Sequence, residues 1–197
     1  NLLPFIVKLA KSNQLKFLNI SGGEPLITDA HYKLLTYLLE NGANNLILGY
    51  STNLSNLTYK NIDLMSLWSK FYQVLIEASC DGWGDAVEYS RTGFKRDVFM
   101  KNLIKAHKYI NRINCVVSIY SVWTLPYIEK ICNKFDIKPV YSPCFLPDFL
   151  NPQHLYREDK EELQKLYEPY PKLQQVFNDY IDKICILKSG NTNLYHI

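Results

Sequence analysis

Leu18-Asn19-Ile20-Ser21-Gly22-Gly23-Glu24-Pro25-Leu26 is the run that says most about this chain. An apolar strand passes into two glycines, a carboxylate and a proline, and a helical pattern follows. Paired glycines let the backbone turn freely and let a ligand approach without a Cβ in the way. Pro25 fixes φ and cannot extend a ladder, so the strand stops before it. Glu24 is left at the C-terminal mouth of the strand, where a carboxylate can hold a cation such as an amino group.

From there the pattern alternates strand and helix. After the strand at 17–21, Asp29 is expected to cap a helix with Leu34, Leu35, Leu38 and Leu39 on one face, and Gly42 suits its end. A strand over 46–51 leads to Thr52-Asn53, and a short helix is expected over 62–70. The third strand, 73–79, ends in Cys80-Asp81-Gly82. Asp97 can cap a helix carrying Phe99, Leu103, Ala106 and Ile110, followed by a strand over 115–120. Pro126 suits the first turn of a helix striped by Ile128, Ile131, Cys132 and Phe135, and a short strand is expected over 138–142. Beyond Pro143, prolines at 147, 152, 169 and 171 punctuate two helical patterns, 157–167 and 172–187. The second carries Leu173, Val176, Phe177, Tyr180, Ile181 and Ile184 on one face.

Strands separated by helices imply right-handed βαβ units and a parallel sheet. Near-continuous apolar strands fit a sheet covered on both sides. A (β/α) barrel or part-barrel and an open doubly wound sheet both satisfy this order. Both place ligands at the C-terminal ends of the strands. The polar clusters 21–24, 51–53 and 79–82 all stand there, which points to one shared site.

The 197 residues suffice for one substantial domain. Net charge is +3 with acids and bases interspersed, which argues against a dedicated nucleic-acid surface. No stretch reaches the roughly 18 consecutive apolar residues of a membrane span, and no signal peptide is visible. Cys80, Cys115, Cys132, Cys144 and Cys185 are scattered with no C-x-x-C pair, so free thiols in a reducing cytoplasm are expected. The chain starts at Asn1 and not at Met, so an internal piece of a longer protein is expected.

Gly22-Gly23-Glu24 resembles the Gly-Gly-Glu motif of radical S-adenosylmethionine (radical SAM) enzymes, which holds the amino group of the cofactor's methionine. Thr52-Asn53 falls where that family has a Thr-Asn pair, its Asn lining the site. The run 74–82 resembles the family's strand ending in Ser-x-Asp-Gly. In the branch with SPASM or twitch extensions an arginine follows nine residues after that glycine. Arg91 stands in that position here, with Glu88 and Tyr89 also matching, while Trp83 departs from the usual proline. An arginine there can clamp a carboxylate through two parallel hydrogen bonds. Ser79 can bond a ribose hydroxyl or that carboxylate. Taken singly, Arg91 is also readable as a surface residue near Lys95 and Arg96, and Asp81 as a turn residue. Ser121 is a further candidate, near the adenosine. Tyr141-Ser142-Pro143 and Phe145-Leu146-Pro147 resemble the strand exit whose backbone meets the adenine.

The resemblance covers about residues 18–147 and implies a cofactor-binding set of Gly22, Gly23, Glu24, Asn53, Ser79, Asp81, Arg91 and Ser121. It implies a parallel (β/α)6 partial TIM barrel lacking its first strand over 1–147, and a helical C-terminal extension over 148–197. It also implies reductive cleavage of SAM to a 5′-deoxyadenosyl radical that abstracts hydrogen from a substrate. An external flavodoxin or ferredoxin would donate the electron. A peptide substrate is favoured over nucleosides and small metabolites. The family's C-x-x-x-C-x-x-C loop, whose thiolates hold a [4Fe-4S] cluster, is not in this sequence, so its ligands are expected outside the chain. Cys80, Cys144 and Cys185, and the histidines at 31, 107, 154 and 196, have no ligand spacing, and no metal ligand is assigned. The segment alone is therefore expected to be inactive. Two rivals remain: a cluster-less SAM-like binder or scaffold, and an unrelated barrel enzyme such as an aldolase or phosphate-binding isomerase. For the second, Glu77 could serve as a catalytic carboxylate, but no lysine stands at a strand exit.

Overall fold

A computed structural model describes residues 2–182. Helix α1 (Leu2–Lys11) leads to strand β1 (Phe17–Ile20), a tight turn at Pro25–Ile27 and helix α2 (Asp29–Glu40). Thr28 and not Asp29 takes the N-cap position of α2, in extended backbone. The Asp29 carboxylate instead meets Lys60 Nζ at 2.8 Å. Strand β2 (Ile47–Thr52) precedes a hairpin of β3 (Thr58–Tyr59) and β4 (Ile62–Asp63), then helix α3 (Leu64–Trp68). The helix expected over 62–70 is shortened at its start. Lys60 and Asn61 both have positive φ, the geometry of a tight hairpin turn, which draws Ile62 and Asp63 into pairing. The Asp63 carboxylate then caps α3 by accepting from the Ser66 N–H at 3.1 Å.

Strand β5 (Gln73–Ser79) has the expected bounds. Helices α4 (Asp85–Ser90) and α5 (Arg96–Ala106) follow, then strand β6 (Ile110–Val117), helix α6 (Leu125–Phe135) and strand β7 (Lys138–Pro143). Strand β6 begins five residues before the expected 115. A short turn over His107–Tyr109 ends α5, and Ile110, spaced like a helix residue, pairs with Ile76 instead. Strand β6 stops at Val117 because the Ser118 N–H bonds the Ser121 hydroxyl at 2.8 Å and leaves the ladder. Helices α7 (Arg157–Tyr167) and α8 (Pro171–Val176) close the described chain, with a wider turn over Phe177–Ile181. Ile184, read as the end of the last helical stripe, lies outside the described residues.

Five strands form one sheet in the order β1-β2-β5-β6-β7, and every adjacent pair is parallel. The helix-facing side is dry: Leu48, Tyr50, Ile76, Ala78, Ile113, Cys115 and Val117 are all buried. Helices α7 and α8 join this core through Leu163, Tyr167 and Leu173, which cluster with Cys115, Val117, Val122 and Leu125. The Tyr167 hydroxyl also donates to the Val122 carbonyl at 2.6 Å. Among the described residues no helix is long and apolar enough to cross a membrane.

His31 is buried in this core and shares a 2.9 Å hydrogen bond with the Tyr50 hydroxyl. Burial pushes its imidazole down to about 4 from an ordinary value of 6.5. Between those values the unfolded chain binds a proton that the folded chain refuses, so stability falls as pH falls. The slope from this one group reaches at most about 1.4 kcal/mol per pH unit. Urea unfolding at pH 4.5, 5.5 and 7 should therefore show a flatter pH dependence in His31→Gln, which keeps a hydrogen-bonding side chain that does not titrate. Parallel profiles would exclude His31 as the titrating group.

Candidate functional site

The three polar strand exits meet at the C-terminal edge of the sheet. Gly22 (φ +99°) and Gly23 (φ +54°) turn the chain through the left-handed region after β1. A Cβ added at either would meet nothing within 4 Å, so the space over this turn is open. The turn delivers Glu24, whose carboxylate is held from the neighbouring strand exit. Glu24 Oε1 accepts from the Thr52 hydroxyl at 2.5 Å, and Oε2 accepts from the Asn53 N–H at 2.7 Å. The Leu26 N–H makes a longer bond of 3.4 Å to Oε1.

The exit of β2 is braced from behind. Leu54 sits at φ +51°, a strained choice for a branched residue. Its N–H donates to Thr52 Oγ1 at 3.0 Å, and its carbonyl accepts from Asn102 Nδ2 at 2.7 Å. Asn102 is buried on α5, so this bond also satisfies a polar group that burial would otherwise penalise. Neither Thr52 nor Asn102 belongs to the set expected to touch the cofactor. The available signal for Asn102 is an amide inside the apolar stripe of Phe99, Leu103 and Ala106.

Asn53 carries the network onward. Its Oδ1 accepts from Arg91 Nη1 at 2.7 Å. Arg91 Nε lies 2.8 Å from Asp81 Oδ2, and Asp81 Oδ1 accepts from the Val116 N–H at 2.9 Å. A continuous polar chain, Glu24–Asn53–Arg91–Asp81–Val116, thus crosses the ends of β1, β2, β5 and β6. Arg91 follows the last turn of α4 and is anchored there by its own N–H to the Val87 carbonyl at 2.9 Å. Its side chain is 28% exposed, enough to leave part of the guanidinium reachable. Arg91 Nη2 has no hydrogen-bond partner among the described residues.

Ser79 lies half-buried at the end of β5, its hydroxyl without a partner among the described residues. Ser121 is placed differently from the others. It is 2% exposed, accepts from the Ser118 N–H and donates to the Val116 carbonyl at 3.0 Å, and so holds the exit of β6. Gly82 (φ +144°) packs against that exit: a Cβ there would come within 2.8 Å of Thr124 Oγ1 and 3.2 Å of Ser121 Cβ.

An aminoacyl sulfonium such as SAM fits this donor set. A carboxylate stands at one end for an ammonium, a guanidinium at the other for a carboxylate, with open space above the glycines. An iron–sulfur cluster does not fit it. Among the described residues no group of three His, Cys, Asp or Glu could hold a metal. Burial pushes the Cys80 and Cys132 thiols up to about 12 and the Cys115 thiol well above its usual value, while iron is bound by the thiolate.

No protein-family model matches the chain, and no curated protein matches it. Solved structures do. Streptococcus suis SuiB bound to S-adenosylmethionine superposes with a TM-score of 0.55 at 18% identity, over 86% of this chain and 38% of SuiB. SuiB bound to precursor peptide SuiA gives a TM-score of 0.56 at 17% identity, over 87% of this chain and 39% of SuiB. Native anSMEcpe with bound AdoMet and Cp18Cys peptide gives 0.56 at 16% identity, over 91% of this chain and 53% of that one. These proteins are radical SAM enzymes. The chain shares their fold. Its five-stranded parallel sheet is consistent with a partial radical SAM barrel. The chain spans about two-fifths of SuiB and about half of anSMEcpe.

Proposed function

We propose that this chain is the SAM-holding part of a radical SAM enzyme of the SPASM/twitch-related kind. The supporting observation is the polar chain from Glu24 to Asp81 across adjacent strand ends, in a fold shared with structures that contain SAM. In this reading Glu24 takes the methionine ammonium, with the open turn at Gly22 and Gly23 beside it. Arg91 takes the carboxylate, oriented by Asn53 and Asp81. Ser79 reaches the ribose side, and Ser121 acts through the backbone it holds. Residues 1–147 form the cofactor-holding core, a (β/α)6 part-barrel when its first strand is counted, and 148–197 form an extension. The cluster ligands lie outside the described residues. Bound SAM, on taking up one electron, would be cleaved to methionine and supply a 5′-deoxyadenosyl radical for hydrogen abstraction. The chain's own residues bind and orient it. An external flavodoxin or ferredoxin delivers the electron. The substrate is a peptide, as SuiB and anSMEcpe were each solved with one bound.

Equilibrium dialysis of the full-length protein against radiolabelled SAM tests this. Saturable binding that S-adenosylhomocysteine displaces is the expected result, because both molecules carry the same amino-acid end. Absence of saturable binding would overturn the assignment.

A further inference from the structure

A parallel sheet linked by helices is usually covered and apolar on both faces. Among the described residues only one face is. The opposite face carries the residues of β5 and β6 that alternate with the buried ones, and its centre is charged. Glu77 and Arg112 stand in register, with Arg112 Nη2 3.0 Å from Glu77 Oε1. Asn114 Nδ2 donates to Glu77 Oε2 at 3.1 Å. The two charged side chains remain 33% and 42% exposed. Lys138 of β7 is in register with Arg112, exposed, and has no ion-pair partner among the described residues. Like charges opposite each other on neighbouring strands repel. One carboxylate against two cations leaves this patch with an excess positive charge.

The placement of Arg112 depends on an irregularity. Ile76 pairs with Ile110 but Glu77 pairs with Arg112, so Asn111 is an extra residue in β6. Ile110 and Ile113 are both buried in the core, and Asn111 and Arg112 between them are half-buried. Without the bulge, strict alternation would send Arg112 into apolar packing. Bulges re-aim side chains in this way and cluster beside functional sites. The bulge also leaves Asn111 Oδ1 buried without a partner, a destabilising feature. Ser51 and Ser79 flank Glu77 on the same face, and neither hydroxyl has a partner among the described residues. Glu77 precedes Ser79 by two residues, about 7 Å along the strand. The patch therefore adjoins the strand ends assigned above to the cofactor.

We infer that this face selects a peptide substrate by a carboxylate side chain, taken by Arg112 and Lys138, with Glu77 and Asn114 fixing the guanidinium. The inference rests on the reading of the neighbouring strand ends as a SAM site. Arg112 and Lys138 are specificity determinants and have no part in holding the cofactor.

Fluorescence anisotropy on the full-length protein, with fluorescein-labelled hexaglutamate and hexaglutamine as probes, tests it. Hexaglutamate should bind at least about tenfold more tightly, the scale of one charge-assisted contact. Arg112→Gln should abolish the preference and Lys138→Gln should reduce it, each with SAM affinity unchanged. Lys138→Gln leaves the Glu77–Arg112 pair intact, so it remains informative if Arg112→Gln misfolds. Equal binding of the two probes, or a preference surviving in Lys138→Gln and Arg112→Gln alike, overturns the inference. If the preference depends on both residues but SAM does not bind, the anion site stands and the cofactor assignment falls. If SAM binds without any preference, the reverse holds.

Discussion

Arg91→Ala should weaken SAM binding to the full-length protein by about 100- to 1000-fold. Two losses add. The ligand carboxylate loses its cationic partner, and Asp81 is left as an unpaired anion close to where that carboxylate would lie. Asp81 is 18% exposed and keeps only the Val116 N–H, so solvent screens it poorly. Truncating one partner of a buried charge pair between protein and ligand costs about 3–4 kcal/mol, which corresponds to that fold-change. Arg91→Lys should fall in between, since a point charge cannot bond Asn53 and Asp81 through a rigid fork. Asp81→Asn introduced into Arg91→Ala should recover part of the loss by removing the repulsion. Dialysis measures each variant, with circular dichroism to verify the fold. Unaltered affinity in Arg91→Ala would reduce Arg91 to a tie between strand exits.

Trp68→Ala should destabilise the protein by about 3–5 kcal/mol, the usual range for emptying a buried indole site. Trp68 is 1% exposed at the end of α3. Its ring stands 5.4 Å from that of Tyr50 and 5.5 Å from that of Tyr109, so it joins the sheet to the turn before β6. For a chain of this size, a loss on that scale lowers the unfolding midpoint by roughly 6–20 °C. Scanning calorimetry reads the shift directly. A change under about 2 °C would mean that the indole does not fill the core between sheet and helices. Because Tyr50 precedes Thr52 by two residues on the same strand face, the brace behind Glu24 should loosen as well.

Much of this is legible in the sequence. Gly22-Gly23-Glu24-Pro25 marks a strand exit because each residue type restricts the backbone locally, and β1 ends there. The bounds of β5 and α7 follow from short-range pattern alone. What stayed hidden depends on distant partners. The start of β6 turns on whether Ile110 continues a helix or pairs with Ile76, and the apolar spacing serves both. The hairpin ahead of α3 depends on two consecutive positive φ values at Lys60 and Asn61; Asn61 suits one of them, but nothing about Lys60 advertises the other. Residue type makes Arg91 a clamp for a carboxylate, but its partners Asp81 and Asn53 come from two other strand exits, 10 and 38 residues away in sequence. The resemblance places Ser121 near the adenosine, at a strand exit where the family often has a polar residue; its hydroxyl bonds the backbone around it, a partnership set by the fold of that exit. The bulge at Asn111 has no residue signature and is visible only in the register between strands.

Asn53 bonds Glu24 through its main chain and Arg91 through its side chain. It is thus a hinge pin shared by the two halves of the site, and neither half can shift without pulling on the other. A ligand that offers only an amine, or only a carboxylate, would meet a cradle set for both. In the proposed SAM site, recognition of the amino-acid end would then be a single concerted event, and the affinities of the separate fragments would not sum to that of the whole.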